Sequence, residues 1–92
     1  MKPFTQFILK ASLEKLLVSY EELLGLLDNT IPTTLPAHFP TEIAKEYSTL
    51  LANLQIEYAN HTEKIQEILQ TKVQESIDFL RQQLAEMSLN EL

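Results

Sequence analysis

The chain has no cysteine and no tryptophan, a single glycine, and four prolines that all precede residue 41. Without cysteine there is no disulfide framework, no thiolate nucleophile and no zinc–thiolate site. A single glycine, Gly25, cannot build a phosphate-binding loop, a dinucleotide fingerprint or a nucleophile elbow, each of which needs at least two. Positive charge is scarce as well. Seven basic residues stand against 13 acidic ones, for a net charge of −6 and an isoelectric point near 4.7. Nucleic acid is repelled by such a chain, because affinity for it rests on lysine and arginine neutralising phosphates. Anionic membrane surfaces are disfavoured for the same reason.

Long hydrophobic runs are also missing. Nothing approaches the ~18 uncharged apolar residues of a membrane span. Lys10 and Glu14 interrupt the apolar start too early for a secretory signal. Together with the lack of cysteine, this makes the cytoplasm the expected location.

What is present is helical periodicity. From Thr41 to Leu92 the chain contains no glycine, proline or cysteine. Along it Ile43, Tyr47, Leu50, Leu54, Tyr58, His61, Ile65, Leu69, Val73, Ile77, Leu80, Leu84 and Met87 recur in steps of three or four. The 12 steps cover 44 residues, about 3.67 per step against ~3.6 for an α-helix. A long left-handed two-stranded coiled coil would want 3.5. His61 is the one polar member of the stripe. Opposite it, Asn60, Glu63, Glu67, Gln70, Gln74, Asp78 and Arg81 form a polar face in register.

An earlier stripe, Leu9, Leu13, Leu16, Tyr20, Leu23 and Leu27, widened by Phe7, Ile8, Leu17 and Leu24, predicts a first helix over about 3–28. Pro3 suits its first turn and Asp28-Asn29-Thr30 its end. Gly25, inside it, is a tolerated weak spot that costs ~1 kcal/mol relative to alanine. Between the helices, residues 29–40 form a proline-rich crossover in which Ile31, Leu35 and Phe39 each precede a proline. Proline pushes its predecessor into extended geometry, so the crossover is expected to run along the bundle with those three side chains inward. Thr41 is the expected N-cap of the next helix.

Hydrophobic content of 45% supports a folded core, and 92 residues make one domain, 1–92. The stripe passes residue 61 without slipping, so the pattern predicts an all-α helical hairpin whose second helix runs over about 41–87, with a frayed tail at 88–92. Such a helix would span about 69 Å against about 39 Å for the first. The uncovered half would then need a second subunit, and a homodimeric bundle follows. The alternative is a monomeric three-helix bundle broken near Asn60-Thr62, where weak helix formers meet.

No metal, cofactor or catalytic constellation is expected. Glu57 and His61 stand four apart, the wrong spacing for the Glu-x-x-His pairs of helical di-metal sites. His61 is expected as a partly buried polar residue bonded to a neighbour, and His38 as a loop histidine. No residue signature selects a known family. The expected function is therefore non-enzymatic: a protein–protein interaction or regulatory module that presents an amphipathic helical face. The alternative is a specialised chaperone or inhibitor that sequesters an amphipathic segment of one client. Three apolar residues fall outside the stripes and are the candidate partner contacts: Phe79, Ile56 and Leu26.

Overall fold

The computed structural model describes the backbone of residues 3–90 and the side chains of residues 10–87. It is all-α. Helices α1 (Pro3–Leu27), α2 (Thr41–Tyr58) and α3 (Thr62–Asn90) form a bundle of 50 × 23 × 21 Å, with no strand among the described residues. The side chains of Phe7, Ile8 and Leu9, and those of the expected tail at 88–92, lie outside the described residues.

α1 buries Leu23 and Leu27 completely and holds Leu13, Leu16, Leu17, Tyr20 and Leu24 half-buried, as its stripe requires. It ends where expected, with the amides of Asn29 and Thr30 both turning back to the Leu26 carbonyl at 3.3 Å. The crossover is ordered along the bundle. Phe39 is buried, Ile31 and Leu35 pack half-buried against the core, and the buried Tyr47 hydroxyl donates 2.6 Å to the Pro32 carbonyl. Thr41 is not the cap of α2 but its first residue. Pro40, with extended ψ of 141°, takes the cap position, and its carbonyl accepts the Ala44 amide at 3.0 Å.

The single long helix over 41–87 does not form. The chain turns at Ala59–His61, as in the three-helix alternative, and α3 starts afresh at Thr62. Ala59 has φ 43° and ψ −107°, while the His61 amide bonds to the Tyr58 carbonyl at 2.9 Å. His61 therefore leaves the stripe. It is exposed in the turn, its Nδ1 3.0 Å from the Tyr58 carbonyl oxygen. The physical reason is that folding back lets α2 and α3 bury their apolar faces on each other, which a continuous helix cannot do within one chain. The length mismatch that called for a second subunit does not arise, since α1 has 25 residues and α3 has 29.

α3 is the central element. Ile65, Leu69, Val73, Ile77 and Leu80 are buried along it, and Leu84 and Met87 are half-buried. Near its start Gln66 and Gln70 donate side-chain amides to the Leu27 carbonyl at the end of α1, and further along Arg81 meets Glu21 at 2.8 Å. α1 thus runs antiparallel to α3. So does α2, joined to α3 by a three-residue turn. The two outer helices are therefore parallel to each other, which is why a long extended crossover must connect them.

Candidate functional site

Both outer helices pack on α3, but among the described residues no Cα of α1 comes within 8 Å of a Cα of α2. The crossover links the two, with His38 on Glu22 of α1 and Pro32 on Tyr47 of α2. Between the three helices lies a groove of about 450 Å³. α1 contributes Leu16, Tyr20 and Leu23 to it, and α2 contributes Ile43, Tyr47 and Leu50. α3 contributes Leu69, Val73 and Leu80, with Lys72, Glu75, Ser76 and Phe79. The lining is therefore mostly apolar, with its polar groups few and identifiable. Concave apolar surface with a small set of polar groups is the common character of ligand and peptide sites.

A hydrogen bond spans the groove from α1 to α2. The Tyr20 hydroxyl donates to Glu46 Oε1 at 3.3 Å. Burial raises the Tyr20 hydroxyl above its ordinary value, and the neighbouring Glu46 charge and hydrogen bond add to that, with Ser76 acting the other way. Tyr20 therefore stays a neutral donor at physiological pH. Lys72 Nζ lies 3.9 Å from Glu75 Oε1 between exposed side chains, and the Ser76 hydroxyl bonds back to the Lys72 carbonyl at 3.2 Å. Lys72, the only cation of the lining among the described residues, is thus matched by a carboxylate, which leaves Glu46 as net negative charge.

The three expected contact residues separate. Phe79 is 60% exposed and sits in the groove lining beside Lys72, Glu75 and Ser76. Ile56 is 83% exposed on α2, away from the groove. Leu26 is half-buried and packs against the core near the end of α1. Tyr20, Ile43 and Leu50 were not legible as site residues. They belong to the stripes, and nothing local to them signals that the helices bearing them stand apart. Val18, 61% exposed on α1, was also not singled out.

Nothing among the described residues gathers three or more metal-ligating side chains. His38 Nε2 lies 2.6 Å from Glu22 Oε2, which ties the crossover to α1, and neither His38 nor His61 lines the groove. No helix among the described residues is long and apolar enough to cross a membrane. The fold and site thus define a small all-α bundle with an apolar interhelical groove. No known protein family, curated protein or solved structure matches the chain.

Proposed function

We propose that this is a non-enzymatic cytoplasmic interaction module that takes up an amphipathic helix with basic flanks in the groove between α1 and α2. The observation that carries the reading is Phe79, a large aromatic left 60% exposed in the lining of an otherwise apolar groove. Exposed aromatics beside apolar pockets concentrate binding energy, and helix-in-groove docking uses such anchors at helical spacing. Charge supplies the partner's chemistry. Among the described residues Lys72 is the one cation of the lining and it faces Glu75, and the whole chain carries −6, so basic flanks are attracted and acidic ones repelled. The concave shape favours sequestering a client segment over presenting a convex helical face.

The test uses two synthetic 18-residue amphipathic helices, one built from leucine and lysine and one from leucine and glutamate. Titrated into isotopically labelled protein, the lysine peptide is expected to bind and to shift the resonances of Leu16, Tyr20, Leu50 and Phe79. Phe79→Ala should weaken it at least fivefold, about 1 kcal/mol, while leaving stability within about 0.5 kcal/mol. Equal binding of both peptides, or shifts centred away from the groove, would sink the proposal.

A further inference from the structure

The turn between α2 and α3 carries a strain that its sequence does nothing to require. Ala59 is the only non-glycine residue with positive φ among those described, at φ 43° and ψ −107°. An L side chain avoids that region, where glycine would sit freely. Yet no glycine or proline occurs anywhere from Thr41 to Leu92, so nothing in the covalent chain forbids the helix from continuing. The inward faces of the two helices are also in phase across the turn. Leu54 and Ile65, both buried, are 11 residues apart. On a continuous helix that separation returns to within about 20° of the same face. Ile43 and Ile65, 22 apart, return to within about 40°.

We propose that Ala59–His61 is a hinge through which two copies of the chain exchange arms, α2 and α3 straightening into one helix in each. The exchanged arm is α1, the crossover and α2, held together by buried Phe39 and by the Tyr47–Pro32 hydrogen bond. Among the described residues its helices pack on α3, and no Cα of one comes within 8 Å of the other. Each contact the arm makes with its own α3 can therefore be remade with the α3 of a second copy, including Arg81 to Glu21 and Gln70 to Leu27. What is given up is the turn, whose amides of His61 and Thr62 bond only two or three residues back. What is gained is regular helical bonding and release of the Ala59 strain. Short hinges under strain are the usual site of such exchange, and the product is a closed two-fold dimer. In it the groove is shared: Tyr20 and Ile43 come from one chain, Val73 and Phe79 from the other. The proposal does not depend on what the groove binds.

The side chains of Asp28, just past the end of α1, and Gln70 of α3 meet at 3.4 Å, and the chain has no cysteine. Asp28→Cys/Gln70→Cys can therefore be joined by a short bismaleimide after equilibration at a series of concentrations. Light scattering is expected to show a two-chain species growing with concentration, and denaturing electrophoresis to show its cross-links joining two chains. Two hinges straighten per dimer, so glycine's penalty in a helix acts twice, and Ala59→Gly should weaken dimerisation about 30-fold or more. Asn60→Ala/His61→Ala should strengthen it about tenfold or more, because both residues enter a helix they otherwise disfavour. A monomer at every concentration in Asn60→Ala/His61→Ala would overturn the proposal. So would a dimer whose cross-links stay within single chains, since that dimer exchanges nothing.

Discussion

The two ends of the bundle use the same kind of apolar stripe and bury it to different extents. At one end α1, the crossover, α2 and α3 all meet, and Leu23, Leu27, Phe39, Tyr47, Leu51 and Leu69 are almost wholly removed from water. At the other, Leu13 of α1 and Leu84 and Met87 of α3 remain half-buried. Two helices cover one side of each other's stripe; a third element is needed to cover the rest. The groove lies where the third element is present but stands off from the first. It includes residues of both kinds, from buried Leu23 to exposed Phe79.

The largest effect should separate the two ends. Leu69→Ala, at a side chain with no exposure, should cost roughly 2–5 kcal/mol through lost burial and the cavity left behind. Leu84→Ala at the two-helix end should cost less, about 1–2 kcal/mol, because part of that side chain is already in water. Urea denaturation of both variants checks this, and equal losses would mean that the ends are equally well packed.

A second difference appears at high pH. Burial pushes the Tyr47 hydroxyl up to about 12 from its ordinary 10.0. Below pH 10 both folded and unfolded chains keep that proton, and the stabilisation is complete. Between pH 10 and about 12 the unfolded chain loses the proton while the folded chain holds it, so stability falls as pH rises. Up to about 2–3 kcal/mol should be lost over that window. Tyr47→Phe should flatten this alkaline limb, at a cost of about 1 kcal/mol at neutral pH for the donor lost to Pro32. Denaturation at pH 8 and 11.5 tests both parts.

Two substitutions should stabilise the well-packed end without touching its core. Ala59→Gly releases the positive-φ strain and should raise the stability of the monomer by about 1 kcal/mol. Gly25→Ala should add somewhat less, roughly 0.5–1 kcal/mol from helix propensity, because a Cβ there meets nothing within 4 Å. A thermal melt in which Gly25→Ala destabilises would show that something approaches α1 closely at that point.

Much of this architecture was legible in the sequence because helices are local objects. Leu23, Leu27, Ile65, Leu69, Val73, Ile77 and Leu80 were placed inward by 3.6-residue spacing alone, and the crossover's Phe39 by its position before a proline. Phe79 was singled out because it fell off that spacing, and it does line the groove. Leu26 also fell off that spacing, yet it packs half-buried against the core, a contact that periodicity along one helix does not register.

The sequence by itself determined the helical class, the inward faces and the ordered crossover, since all three follow from hydrogen bonding and side-chain spacing within a few residues. Only the tertiary structure decided whether residues 59–61 turn or continue, and how far α1 stands from α2. The stripe stays in phase through the turn, so local spacing is satisfied either way. The choice lies in which surface covers the stripe: when α1 and α2 lie against α3 of the same chain, burying that apolar area outweighs the strain held at Ala59.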